Sequence, residues 1–79
     1  MRIPTFHVRA DWDPEAEVWV AISDDVPGLG TEAATIEELL ENLRMILPEL
    51  LEADEALPAG SAFAFELTSH RREQLRLAS

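Results

Sequence analysis

The sequence of 79 residues contains no cysteine, which excludes two kinds of small protein. A disulfide framework and a zinc site built on thiolates both need cysteine, so neither is available to this chain. Apolar runs are also short. None approaches the roughly 18 residues that a membrane-spanning helix needs, and residues 1–20 lack the apolar core of a signal peptide. We therefore expect a cytoplasmic protein that does not insert into a membrane.

Positive charge is scarce and unevenly placed. Six arginines against sixteen acids give a net charge of −10. The first 68 residues hold fifteen acids and three arginines, a net of −12, while Arg71, Arg72 and Arg76 lie in the last nine positions. An acidic body repels phosphate backbones and anionic membrane surfaces. We therefore expect neither nucleic acid nor membrane as a partner and favour a basic protein, with simple solubility as the alternative reason for the charge.

Alternation of apolar and polar residues predicts two strands near the start of the chain, over residues 3–10 and 17–23. Asp13-Pro14 supplies a turn between them, because aspartate bonds local amides and proline fixes φ. The two strands should form a hairpin whose loop, residues 11–16, contains Trp12.

Two further strands are expected later in the chain. Pro27-Gly28 suits a type II turn, whose second central residue needs a positive φ, and a short third strand follows at 29–32. A fourth strand is predicted over 61–68, where large apolar residues alternate with smaller or polar ones. The chain thus divides into a domain at 1–68 and a basic tail at 69–79, which we expect to be frayed or briefly helical.

The clearest element is an amphipathic helix introduced by Thr35. Thr35-Ile36-Glu37-Glu38 matches a capping box, in which the threonine oxygen accepts the amide three residues later and the Glu38 side chain reaches back to the cap. Apolar residues then recur at helical spacing over about 18 residues. They are Ile36, Leu39, Leu40, Leu43, Ile46, Leu47, Leu50 and Leu51. Pro48 removes the bond to the carbonyl of Arg44, so we expect either a kink or a division into two helices.

The element order β-β-β-α-β predicts an α+β fold of two layers. A right-handed crossover through the helix returns the fourth strand parallel to the first, giving the sheet order 3-2-1-4 with the helix on one face. We expect that face to carry Phe6, Val8, Val18, Val20, Ile22, Phe63, Phe65 and Leu67. The opposite face should carry Thr5, His7, Arg9, Trp19, Ala21, Ala62 and Ala64.

One large aromatic among smaller residues is unusual on the surface of a monomer. We therefore expect a homodimer or larger homo-oligomer, formed through the face opposite the helix or through the edge of the fourth strand. His7 and Trp19 are the candidate residues for this self-association, since tryptophan is common at binding hot spots.

Several strings together resemble the HicB-like antitoxin group, and more closely a family of short uncharacterised bacterial domains related to it. They are the hairpin at 11–16 and 18–21, the turn at 23–29, the segment at 31–33 and the helix opening at 35–39. The resemblance implies a partial ribonuclease-H-like fold without nuclease activity, which binds and blocks a small basic RNA-cleaving toxin. Many such antitoxins carry a C-terminal DNA-binding segment, for which the eleven residues after Thr68 are too few.

Three functions follow as alternatives. The leading hypothesis is a non-enzymatic antitoxin-like domain that binds its partner through Asp24, Asp25 and Glu32. The rival is a metal-dependent ribonuclease using Asp11, Asp13 and Asp25, whose carboxylates would converge on Mg²⁺ at one end of the sheet. Because aspartates in turns usually bond local amides, we predict no catalytic residue, no metal and no cofactor. The third alternative is an orphan relative that kept the fold and lost its partner.

Overall fold

The computed structural model describes residues 2–78; Met1 and Ser79, which begin the predicted domain and end the predicted tail, lie outside the described residues. The elements are β1 (Thr5–Asp13), β2 (Val18–Ile22), β3 (Thr31–Ala33), α1 (Ile36–Ala53) and β4 (Ala64–His70). The sheet order is β3-β2-β1-β4, with β4 parallel to β1 and the other pairs antiparallel. The predicted α+β layout with sheet order 3-2-1-4 is confirmed.

The β1–β2 hairpin is longer and tighter than the sequence indicated. β1 continues to Asp13, so Trp12 lies in the strand rather than in the loop. The Asp13 carboxylate accepts the backbone N–H groups of Glu15 and Ala16 at 3.0 and 3.2 Å, and its carbonyl accepts that of Glu17 at 2.8 Å. With these bonds four residues are enough to reverse the chain, and the last of them, Glu17, adopts a positive φ of 57°.

α1 begins at the predicted residue with one half of the capping box, since the Glu38 side chain makes no hydrogen bond within residues 2–78. The Thr35 hydroxyl accepts the backbone N–H of Glu38 at 3.1 Å, and the helix runs for 18 residues without division at Pro48. Pro48 and Arg44 are both exposed, so the carbonyl that loses its partner lies on the solvent side. α1, the helix of the described range, is not long and apolar enough to cross a membrane.

α1 covers one face of the sheet. The sequence analysis predicted the residues of β1 on that face correctly and those of β2 incorrectly. Ala10 pairs with Ala21, and both are buried with 0 and 3 % of their surface exposed. The prediction that Val18, Val20 and Ile22 lie under the helix is therefore wrong, as is the placement of Trp19 and Ala21 on the opposite face. Alternation shows that a strand has two faces, but the choice depends on which face the helix fits.

Small strand residues allow the helix leucines to approach the sheet closely. Ala10, Ala21 and Ala33 lie in one buried cluster with the leucine row of α1. That row repeats every four residues and consists of Leu39, Leu43, Leu47 and Leu51. Larger side chains at the alanine positions would push the helix outward, which explains why the valines of β2 are excluded from this layer.

The loop after β2 contributes a core residue that the sequence analysis left out. Leu29 donates its backbone N–H to the Val26 carbonyl at 3.3 Å, and Gly28 has a φ of 82°, so the predicted type II turn is confirmed. Val26, the first residue of this turn, is 1 % exposed. Its burial fixes the loop against the domain.

β4 runs to His70, two residues into the predicted tail. Residues 71–78 are exposed and contain no helix, so of the two expectations for the tail, frayed or briefly helical, the helical one is wrong for this part of the chain. The molecule measures 60 × 25 × 20 Å and has a radius of gyration of 15.4 Å. A compact domain of this length would have a radius of about 12 Å, so the tail protrudes.

Candidate partner-binding face

The face of the sheet that α1 does not cover is called the open face below. Because the strand pairings are regular, it is made of alternate residues from all four strands. These residues are Thr5, His7, Arg9, Asp11, Asp13, Val18, Val20, Ile22, Glu32, Ala64, Glu66, Thr68 and His70. Most of the ionisable side chains of the sheet therefore stand on one side of it.

An aliphatic row crosses the open face along β2. It consists of Val18 and Val20, which are half-buried, and Ile22, which is 40 % exposed. None of the three packs against the buried core. They form an apolar strip on an otherwise charged surface.

Acidic residues stand on both sides of this row. On β1, Asp13 is opposite Val18 and Asp11 is opposite Val20. On β3, Glu32 is opposite Val20 from the other side. Paired residues of neighbouring strands project from the same face, so these carboxylates border the aliphatic row directly.

His7 is held between two carboxylates at one end of the open face. Its backbone N–H donates to Asp25 Oδ2 at 2.7 Å, and its Nδ1 lies 3.1 Å from the same oxygen. Its Nε2 lies 3.3 Å from Glu66 Oε2. The parallel pairing of β4 with β1 places Glu66 there, opposite His7.

Ser23 determines where Asp25 lies. The Ser23 hydroxyl donates to the His7 carbonyl at 2.6 Å and accepts the backbone N–H groups of Asp25 and Val26 at 3.1 and 3.2 Å. With Val26 buried beneath it, this short loop folds back onto β1. The carboxylate of Asp25 is thereby brought to the amide of His7.

These contacts favour the ionised form of Asp25. The hydrogen bond from the His7 backbone, followed by the bond from its ring, lowers the pKa of the Asp25 carboxyl below its ordinary value, against a smaller opposing effect of desolvation. Asp25 and its neighbour Asp24 border an open depression of about 340 Å³ together with Arg9 and Ile22. Asp24 forms no ion pair among the described residues.

The structure brings most of the predicted contact residues to one face. Asp24 and Asp25 lie just beyond the end of β2, while Glu32 and His7 lie on the open face itself. Trp19 does not. It is half-buried on the helix-covered side and packs edge-on against Trp12, with ring centres 5.3 Å apart. The binding roles of all five remain predictions.

The carboxylates of the rival nuclease hypothesis do not converge. Asp13 lies at the hairpin end of β1, six residues from His7, which contacts Asp25; at 3.3 Å per residue this is about 20 Å. Asp11 pairs with Arg9 Nε at 3.0 Å, and Asp13 closes the hairpin turn. Within residues 2–78, no group of three metal-ligating side chains is placed to hold an ion.

Sequence reasoning missed two features of the open face. The aliphatic row was assigned to the core because valine and isoleucine are usually buried. Glu66 was not connected with His7, although both alternate away from the helix, because that contact depends on the register of a parallel pair far apart in sequence.

Comparison with known proteins finds one family and two bacterial proteins to which the chain is similar. A UPF0150 protein of Thermotoga maritima is 38 % identical over 47 residues, which is 60 % of this chain and 63 % of that relative. The crystal structure of a hypothetical protein, TTHA1013, from the extremely thermophilic bacterium Thermus thermophilus is similar with a TM-score of 0.64 and 49 % identity, covering 92 % of this chain and 99 % of that one. Residues 5–79 match the family described as Domain of unknown function (DUF1902), and the chain belongs to that family.

Proposed function

We propose that this protein is a non-enzymatic protein-binding domain of the antitoxin type, which binds a small basic toxin-like protein in the cytoplasm through its open face. The observation that carries the proposal is the aliphatic row of β2 bordered by carboxylates from both neighbouring strands. The orphan alternative, a relative that has kept the fold without a partner, is compatible with membership of an uncharacterised family.

The composition of the open face matches the anatomy of a protein interface. Interfaces have an apolar centre that becomes dry on binding and a polar rim that stays wet. Val18, Val20 and Ile22 supply the centre, and Asp11 and Glu32 stand at the rim. An acidic rim on a chain of net charge −10 would attract a basic partner over a distance and orient it.

The face is also rigid before any partner arrives. β2 pairs with β1 along its whole length and with β3 over residues 19–21, so Val20, the centre of the aliphatic row, has a paired strand on both sides. Asp25 is held by Ser23 and His7 in the same way. Binding to a preorganised surface loses less conformational entropy than binding to loops.

The resemblance to HicB-like antitoxins favours a toxin as the partner, since the acidic face would then cover a basic RNA-binding surface. Asp24 and Glu32 are the residues best suited to test this. Both are exposed, and neither carboxylate is used in a hydrogen bond within the described chain. Asp25 is less suitable, because its loss would also disturb the loop that it anchors.

The experiment is an affinity capture from the native host, with mass spectrometry and then calorimetry of the recombinant pair. The test variant is Asp24→Lys with Glu32→Lys. The control is Glu41→Lys with Glu49→Lys, which makes the same change in net charge at exposed positions of α1. We expect one small basic protein to be captured by the native chain and by the control, with affinity reduced tenfold or more in the test variant.

Equal loss in both variants would mean that only total charge matters and would contradict a specific acidic face. Capture of no second protein would favour the orphan alternative. Cleavage of RNA by the purified chain that depends on Mg²⁺ or Mn²⁺ and disappears in Asp25→Asn would replace the proposal with the nuclease hypothesis.

A further inference from the structure

The protruding C-terminal tail has the properties of a strand without a neighbour. Residues 71–78 make no backbone hydrogen bond within the described chain. Leu75 and Leu77 are 89 and 95 % exposed, more than the other large exposed apolar side chains. Unpaired backbone and exposed leucines are features that a second chain would cover.

The tail continues the alternation of β4. Phe65 and Leu67 of β4 lie on the helix-covered side. Further along the same alternation, Arg71 lies over the ring of Trp12 at 4.0 Å, on the same side. Arg71 also pairs with Glu73 at 3.0 Å, as expected for side chains two residues apart on one face of an extended chain.

Continued through the tail in extended form, the same alternation places Leu75 and Leu77 on the side that carries Phe65 and Leu67. Eight extended residues at about 3.3 Å each reach about 26 Å beyond β4, in agreement with the 60 Å long dimension of the molecule. β4 itself is an edge strand, paired with β1 on one side only. One chain therefore offers both an open edge and an extended strand able to pair with it.

We propose that two copies of this chain exchange their tails, each tail forming an antiparallel strand along the free edge of the other copy's β4. The arrangement is symmetric, because each copy supplies one tail and receives one. The two four-strand sheets would then join along their β4 edges. This inference does not depend on the proposed partner, since it uses the edge of the sheet rather than the open face.

Charge and apolar matching select one register for this pairing. When Arg76 of one copy stands opposite Glu66 of the other, Leu75 falls opposite Leu67 and Leu77 opposite Phe65. The opposite charges meet on the open-face side and the apolar residues meet on the helix-covered side. A shift of two residues in one direction places Arg76 opposite Ala64, and in the other direction opposite Thr68, so the charge pair is lost both ways.

The complementary charges of the two segments support a second copy as the occupant. The tail carries Arg71, Arg72 and Arg76, while the first 68 residues have a net charge of −12. At the symmetry axis the two Arg71 side chains approach each other. Each of them stacks on its own Trp12 and pairs with its own Glu73, which limits their repulsion.

The first test is the mass of the full chain in solution, measured by light scattering and sedimentation. We expect a dimer for the native chain, and a weakening of dimerisation by tenfold or more in Leu75→Lys with Leu77→Lys. Met45→Lys, at an exposed position of α1, is the control for an apolar-to-lysine change elsewhere on the surface and should remain a dimer. Far-ultraviolet circular dichroism shows whether each variant is folded. A monomeric native chain, or a folded leucine variant that dimerises normally, would overturn the proposal.

The second test reads the register. Arg76→Glu and Glu66→Arg should each weaken the dimer, and the double variant should restore it. Because the native chain has no cysteine, Thr68→Cys with Gln74→Cys should form a covalent dimer on mild oxidation. Within one extended chain these two positions are about 20 Å apart, too far for a disulfide. The control is Thr68→Cys with Arg76→Cys, whose second cysteine lies two residues beyond the position opposite Thr68. It should cross-link at least several-fold more slowly, and equal rates would contradict the register.

Discussion

On the helix-covered face of the sheet, β1 and β2 present Val8, Ala10 and Ala21 to a row of buried leucines. On the open face the same two strands present His7, Arg9 and Asp11 beside an aliphatic row. The buried side chain of β2, on the helix-covered face, is that of the small residue Ala21, whereas the larger β-branched residues of β2 lie on the open face. In this small two-layer domain, the strand face that is buried is the one whose side chains fit against the helix. The bulkier apolar residues of β2 then lie on the other face, where they are available for binding.

The largest expected effect comes from the helix side of this comparison. Leu43 is fully buried, so Leu43→Ala should leave a cavity and reduce the free energy of unfolding by about 2–5 kcal/mol. Urea denaturation measures the change. Met45→Ala, on the exposed side of the same helix, should change it by less than about 0.5 kcal/mol. Similar costs at both positions would mean that α1 packs differently from the structure described above.

A smaller effect should distinguish the two faces of β2 directly. Ala21→Leu places a large side chain under the helix and should cost about 1–3 kcal/mol by overpacking. Val20→Leu, the neighbouring position on the open face, has room in solvent and should stay within about 0.5 kcal/mol of the native chain. Thermal and urea unfolding of the pair measure the difference. The reverse ranking would restore the original assignment of the valines to the core.

The smallest expected effect is a pH dependence of the free energy of unfolding that comes from Asp25, beside the open face. Because the pKa of Asp25 is lowered in the folded chain, its ionised form stabilises the fold at neutral pH. That contribution should disappear as the pH falls through the folded pKa, below about pH 4. The stability difference between the native chain and Asp25→Asn should therefore shrink between pH 6 and pH 3.

Asp24→Asn is the control for this pH series, since it removes the adjacent carboxyl without removing the bonds to His7. Its stability difference from the native chain should be smaller at pH 6. A difference for Asp25→Asn that stays constant down to pH 3 would mean that the bonds from His7 do not depend on the charge of the carboxylate.

The open face was predictable in part. Asp24, Asp25, Glu32 and His7 were all singled out from the sequence as contact candidates, and the structure places them on or beside one surface. Trp19 was assigned to the wrong side. Its neighbours Val18 and Val20 are larger and more apolar than Ala21. Hydrophobicity alone therefore predicted that the valines are buried under the helix and that Trp19 and Ala21 face away from it.

Local chemistry in the sequence determined the elements themselves. The threonine cap at Thr35, the leucine spacing of α1 and the turn at Pro27-Gly28 each act over a few residues, and each forms as expected. The order of the strands followed from the strand directions and from a crossover that returns the fourth strand parallel to the first. Only the tertiary structure decided which face of β2 lies under the helix and that Val26 is buried. It also set the register that brings Glu66 to His7, because these depend on how the side chains of distant segments fit together.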